Sequence, residues 1–379
     1  MPNSLPSEHL PQAIARRLAA FALPGADAEQ VPAEPIVVRE IDWPAVRANV
    51  EFQRLTGLAL AALSENALEL PSGASEELED SHRRAMAWAL AVERATLRVH
   101  DALAEEGIQG IVLKGSAFAH GFYPDPSWRP FGDLDLMVRG DDLARTGAVL
   151  EKLGSARTLP EPREGFDRRF GTGAIYRTTG GIEIDLHRTL VIGPFGLWIR
   201  PDELFDTTER FDLGGRSLRR LEATAAFIHA CVHAALGALP PLLMPLRDLV
   251  QIAHTGRPDW ERVQTLAARW HLGPVVGHAL TTASQVLGAP AVPAAMPLLE
   301  NGWPRRERRA LRAYTTERQR RGARAIATVQ AIPGIRGKVA YVRALGAPDR
   351  EFLAARQASG RGSYARRLAV PLRWLIRKP

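Results

Sequence analysis

Apolar and polar positions change their period several times along this chain, and the changes divide it into four stretches. Residues 1–80 open with a short amphipathic segment, His9 to Phe21, followed by a Pro/Ala/Gly linker from Pro24 to Pro35. Helical patterning resumes from Trp43 to Leu63. From Glu76 to Glu106 the positions Met86, Leu90, Ala91, Ala95, Leu97 and Leu103 roughly follow helical spacing, which predicts one long helix ending at Gly107. Within residues 81–220 the elements then alternate. Strands are predicted over Ile108–Leu113, Asp133–Val138, near Ala174–Arg177, over Ile182–His187, and over Thr207–Leu213 into a Gly214-Gly215 turn. Between them lie a short helix, Ser116–Gly121, and a longer one, Asp141–Leu153, with Asp141 or Asp142 as its cap. Residues 221–302 are helical from about Glu222 to Gln285, and residues 303–379 form a basic helical extension. This order predicts an α+β fold: a mixed sheet with helices on one side, an N-terminal helical segment and a C-terminal helical domain.

Two of the strands carry chemistry. In Phe131-Gly132-Asp133-Leu134-Asp135-Leu136-Met137-Val138 the carboxylates alternate with apolar residues, so Asp133 and Asp135 share one face. Two carboxylates crowded in an apolar strand repel each other and are costly to desolvate. A divalent cation removes that cost, and oxygen-only ligation favours Mg²⁺ or Mn²⁺. The second strand, opened by Gly180-Gly181, sets Ile182, Ile184 and Leu186 inward and Glu183, Asp185 and His187 outward. Beside the first strand, Asp185 would share a metal with Asp133 and Asp135, with Glu183 on the same face as its rival. Three carboxylates suit two-metal phosphoryl chemistry. Upstream, Lys114 precedes a Gly115-Ser116 turn and reads either as a phosphate contact or as a snorkelling strand-end lysine. His187 reads as a supporting or structural residue.

The ordered set of Gly115-Ser116, Asp133-x-Asp135 and a later strand-borne Asp185 resembles the polymerase-β-type nucleotidyltransferase superfamily. More closely, LKGSAFAHGFYPDPSWRPFGDLDLMV and IEIDLH look like its bacterial uncharacterised-nucleotidyltransferase branch, with FIHACVHAAL, LRDLVQIA and DWERVQTLAARW continuing the likeness. It covers roughly residues 80 to 379. The resemblance implies that Asp133 and Asp135 ligate metal, with Asp185 as third ligand or as the base for the acceptor. It implies that Gly115 and Ser116 hold the β- and γ-phosphates through backbone N–H groups at a helix start. Lys114 and Arg129 would be further nucleotide contacts, Arg129 neutralising triphosphate charge or merely sitting on the Tyr123-Pro124-Asp125-Pro126 turn. The implied reaction moves an NMP from an NTP, ATP first, to a hydroxyl or amine of a small molecule, peptide or protein, releasing pyrophosphate. One departure is the 16-residue gap between Ser116 and Asp133, longer than the superfamily's usual spacing but expected in the closer branch.

Composition narrows the rest. One cysteine, Cys231, excludes a disulfide framework or multi-Cys zinc site. His229 and His233 lie four apart, but His-Ala-Cys-Val-His lacks the glutamate of the metalloprotease signature, so core or cleft-lining histidines are expected. By fold-level analogy, His229, His233, Arg247 and Asp248 would reach the base or acceptor. With neither a signal-peptide pattern nor an apolar run long enough to span a bilayer, a cytoplasmic location is expected. The total charge is +7, yet residues 303–379 hold 20 Lys and Arg against 4 Asp and Glu, so +16 sits there and the remainder carries −9. Such a tail suits nucleic acid, anionic lipid or an acidic protein face, and Tyr364–Arg377 would suit a membrane surface or the body itself. Without aromatic stacking platforms or RNA modules, nucleic acid is the lesser expectation. The alternatives to an enzyme are a non-catalytic nucleotide-binding protein and a tail-driven interaction scaffold.

Overall fold

The computed structural model describes residues 10–25, 34–289, 292–299, 302–316 and 320–358. Among them, strands β1 (Ile36–Val37) and β2 (Leu68–Glu69) make a short parallel pair. The other strands are β3 (Ile111–Val112), β4 (Asp133–Met137), β5 (Ala156–Arg157), β6 (Gly173–Arg177), β7 (Glu183–His187), β8 (Thr208–Leu213) and β9 (Arg216–Leu221). They form a seven-stranded sheet in the order β5-β6-β7-β4-β3-β9-β8. It is mixed: β4 runs parallel to β7 and β3 to β9, and the remaining pairs are antiparallel. Parallel neighbours need a long crossover, and the Leu143–Lys152 helix with β5 and β6 supplies it between β4 and β7.

Strand alternation decides what each face meets. Leu134 and Leu136 of β4, Val112 of β3, and Ile184 and Leu186 of β7 share a cluster with Ala89, Val92, Val99 and Leu103 of the Ala74–Glu105 helix. On the opposite face Ile111, Leu113 and Met137 join a larger cluster with Phe227, Ile228 and Cys231 of the Ala223–Leu236 helix. Both faces are therefore covered, not one. The reason lies in Met137, an apolar residue on the carboxylate-bearing face that itself requires cover.

The first helices and those beyond residue 223 meet in that larger cluster. Ile14 and Leu18 of the Leu10–Ala20 helix, Val46 of the Trp43–Phe52 helix and Leu58 of the Thr56–Ser64 helix pack with the 223–236 helix and with Leu246, Val263, Val275 and Ala279 beyond it. The helical patterning from Trp43 to Leu63 forms two helices, separated at Gln53–Leu55, where Arg54 adopts a left-handed φ of +59°. The helix predicted from Asp141 starts at Leu143 after a 3₁₀ turn, Gly140–Asp142. There Asp142 is the N-cap residue, but its carboxylate is engaged by Arg145 (2.8 Å) and not by the backbone. Glu222 does cap the 223–236 helix, accepting from the N–H groups of Thr224 and Ala225. The arginine-rich stretch from 305 to 324 is divided: one helix is Arg305–Thr315 and the next Arg320–Ala331. The Tyr364–Arg377 segment, His9 and residues 26–33 of the expected linker lie outside the described residues. No helix among the described residues is long and apolar enough to cross a membrane.

Candidate active site

The site forms where β4 and β7 run side by side. Their register sets Asp133 opposite Glu183, Asp135 opposite Asp185, and Met137 opposite His187. The pairing is extended by the Val138 N–H, which donates to the His187 carbonyl at 2.9 Å. Asp135 is only 2 % exposed, so its charge needs partners. It has two. Lys114 Nζ lies 2.8 Å from Oδ2, and His187 Nε2 lies 3.1 Å from Oδ1. The same His187 nitrogen lies 3.3 Å from Oδ2 of Asp185, so one imidazole bridges the two carboxylates.

These contacts set the protonation states. Burial works to raise the Asp135 carboxyl, but the Lys114 charge and the His187 hydrogen bond outweigh it and hold it well below the usual carboxylate range. Burial likewise works to lower Lys114, and the charges of Asp135 and Asp133 more than reverse it. For His187, burial is again opposed by hydrogen bonds and charge from Asp135 and Asp185, which raise it to about 9. The centre at neutral pH is thus an ionised Asp135 held by a lysine ammonium and an imidazolium, the latter also within 3.3 Å of the Asp185 side chain.

Lys114 reaches Asp135 because β3 ends two residues earlier, at Val112. The Leu113 N–H still donates to the Asp135 carbonyl at 3.0 Å, extending the ladder past Val112. Gly115 then turns the chain at φ +57° and ψ −121° into the Ser116–Phe122 helix. A Cβ there would meet Asp133 O and the Phe131 ring only at ordinary contact, 3.5 Å, so glycine is required by conformation and not by space. Ser116 is buried at the helix start.

Arg129 is not brought into the carboxylate cluster. Its Nε and Nη2 donate to the two oxygens of Asp248 at 2.7 and 2.8 Å, and its Nη1 donates to the Gly115 carbonyl at 3.1 Å. Tyr123 adds a hydroxyl donated to Asp248 at 2.8 Å. Arg247 does not line the site either. It is fully buried, and its Nη1 donates to the carbonyls of Ala19 (2.7 Å) and Phe21 (2.6 Å), where the first helix ends. The expected reach of Arg247 and Asp248 toward a base or acceptor is therefore corrected: both are spent on holding backbone and Arg129. His229 is buried against the Phe118 ring, centroids 6.1 Å apart.

Asp135, Asp185 and His187 each offer one ligand atom, all within 4.8 Å of one another. Asp133 lies one pleat outward on the same face, half-exposed, with Arg54 Nη1 at 3.9 Å. Glu183, its register partner, is ion-paired to Arg177 at 3.0 Å. Two residues stand closer to the carboxylates than the sequence indicates: His187, expected only as a supporting or structural residue, and Arg54, which carried no expectation. His187 had a visible signal, its place on the outward face of the Asp185 strand; Arg54 had none, because its chain segment lies far upstream.

The family described as uncharacterised nucleotidyltransferase matches residues 39–288, a span that contains every group named in this site. No curated protein matches the chain. Among solved structures, the crystal structure of an antigenic nucleotidyltransferase-like protein from Paracoccidioides brasiliensis is similar at 16% identity, with a TM-score of 0.32, over 55% of this chain and 95% of that one. The chain belongs to the uncharacterised nucleotidyltransferase family.

Proposed function

We propose that this chain is a Mg²⁺- or Mn²⁺-dependent nucleotidyltransferase that moves an NMP from an NTP, ATP first, to a hydroxyl or amine acceptor with release of pyrophosphate. The acceptor class is a small molecule or a peptide or protein side chain. The observation that supports this best is the register match of Asp135 with Asp185 across two parallel strands, with Asp133 one pleat outward on the same face.

The donor set fits a hard divalent cation. Asp135 and Asp185 would hold it, with Asp133 completing the oxygen donors from the rim and His187 beside them. When bound, the ion supplies positive charge against the triphosphate and the departing pyrophosphate. The chain's own residues do the rest. Lys114 and His187 keep the Asp135 carboxylate ionised and in place, and Lys114 is close enough to serve the phosphates as well. The Gly115-Ser116 turn lines the phosphate side. Arg129, tied to Asp248, positions that turn through the Gly115 carbonyl. Asp185, less buried than Asp135, is suited to take the acceptor's proton.

The test is calorimetric titration of ATP, GTP, CTP and UTP, with and without Mg²⁺ or Mn²⁺, into wild type and an Asp133→Asn/Asp135→Asn variant. Metal-dependent binding that vanishes in the folded variant is the expected result. Failure of well-folded wild type to bind any nucleotide would overturn the reading. A nucleotide binder without turnover is the second reading, and one observation favours it: Lys114 and His187 already neutralise Asp135. Tight metal-dependent binding with no pyrophosphate release across an acceptor panel would decide for it.

A further inference from the structure

The outer end of the site carries an aromatic residue that packing does not explain. Trp88 stands on the long helix with 42 % of its surface exposed. Its ring is nevertheless fixed, because its Nε1–H donates to the carbonyl of Gly132 at 2.9 Å. Gly132 immediately precedes Asp133, and Gly181 lies just before β7. A Cβ at Gly132 would sit 3.7 Å from Trp88 Nε1, and one at Gly181 would sit 3.8 Å from Trp88 Cη2. The indole therefore spans the starts of both carboxylate-bearing strands, its pyrrole edge at one and its benzo edge at the other.

A cation accompanies it. Arg54 Nη2 would be 3.5 Å from a Cβ at Gly132, and its Nη1 lies 3.9 Å from Asp133 Oδ1. Its side chain is 51 % exposed. Arg54 also holds the left-handed φ noted above, a conformation that non-glycine residues seldom adopt. A bare aromatic ring pinned at its edge, a guanidinium and a carboxylate thus meet at one rim. Asp133 and Asp135 are two strand residues apart, about 7 Å along the sheet, so this rim adjoins the buried Asp135–Asp185 pair.

We propose that Trp88 and Arg54 form the nucleoside end of the substrate site, the indole stacking on the base and the guanidinium pairing with the polyphosphate. This rests on the nucleotidyl-transfer reading of the same site. A nucleoside triphosphate is the ligand that offers a flat π-surface and several negative charges to these two side chains at once. Because stacking accepts any base, the rim by itself selects for a nucleotide and not for one particular base.

The experiment titrates Mg²⁺ or Mn²⁺ with ATP, and separately with inorganic tripolyphosphate, into wild type, Trp88→Ala, Trp88→Phe and Arg54→Gln. Melting temperatures serve as the control for folding. Trp88→Ala should weaken ATP roughly 10- to 100-fold and leave tripolyphosphate unchanged. Trp88→Phe, which keeps a ring but not the bond to Gly132, should recover most of the loss. Arg54→Gln should weaken both ligands. If ATP binds wild type and Trp88→Ala alike, or if Phe fails to rescue, the stacking assignment is overturned while the transferase reading stands. If well-folded wild type fails to bind ATP with either metal, both fall together.

Discussion

Asp135 has two cationic neighbours and almost no contact with water, and this governs what its replacement does. Asp135→Asn removes the charge that holds Lys114, leaving a largely buried ammonium without its partner. Breaking such a pair costs about 3–5 kcal/mol when fully buried, and Lys114 keeps some solvent contact, so a loss of about 2–4 kcal/mol in urea unfolding is expected. Adding Lys114→Met should restore much of that stability but none of the metal-dependent nucleotide binding. Recovery of binding in the double variant would remove Asp135 from the ligand set. His187 gives the metal-free protein a pH signature. Its folded value, about 9, exceeds the ordinary one near 6.5, so the folded state holds its proton more tightly than the unfolded state. The resulting stability is fully present below about pH 6.5 and is lost as pH rises through 9, to the extent of about 3 kcal/mol. Denaturation of chelator-treated protein from pH 6 to 10 should show this decline, and His187→Gln should flatten it.

At the scale of elements, Asp248 joins parts of the molecule that the sequence keeps far apart. It sits on the Leu243–Gln251 helix and receives Arg129 from 119 residues earlier, while Arg129 in turn donates to the Gly115 turn. Asp248→Asn should therefore destabilise the fold by about 3–5 kcal/mol and weaken nucleotide binding from a distance. Unchanged ATP affinity in the folded variant would show that the Gly115 turn does not depend on this brace. The same pair shows where sequence reading stops. The alternation of Asp133 and Asp135 with leucines, and of Asp185 with isoleucine and leucine, was enough to place β4 and β7 within a residue of their observed ends. Alternation reports a strand's two faces, however, and not its neighbour, so the Asp135–Asp185 register emerged only from the sheet. A pair formed across 119 residues leaves no periodic trace. Nor does the break at Arg54, where neither glycine nor proline interrupts the helical pattern. Trp88 had a fainter signal, a large ring on a helix position outside the apolar stripe.

Across the whole molecule, the charge imbalance is not simply that of a body with an appended tail. The basic stretch beginning at residue 303 includes Ala310, Ala313 and Tyr314, all buried in the larger core cluster, and the Tyr314 hydroxyl donates to the Ile192 carbonyl. Glu307, buried as well, accepts from His271 at 2.8 Å. Removing residues 303–379 should consequently do more than subtract positive charge. Uncovering a buried tyrosine and its neighbours removes several kcal/mol of burial, so the truncated chain should melt well below the full chain or aggregate. If it melts at the same temperature, the arginine-rich helix is dispensable to the core. Arg247 carries a consequence for how the chain comes to be folded. Its acceptors at Ala19 and Phe21 precede it by 228 and 226 residues. At translation rates of about 5–20 residues per second, the first helix waits roughly ten to fifty seconds for the residue that secures its end. Over that interval Ile14 and Leu18 have only their early neighbours, Val46 and Leu58, and lack Leu246, Val275 and Ala279, which complete the cluster. Folding of the larger core is thus completed only after the 243–251 and 273–287 helices have left the ribosome, and until then the part of the first helix's apolar face that they cover stays exposed, the kind of nascent surface that holding chaperones protect.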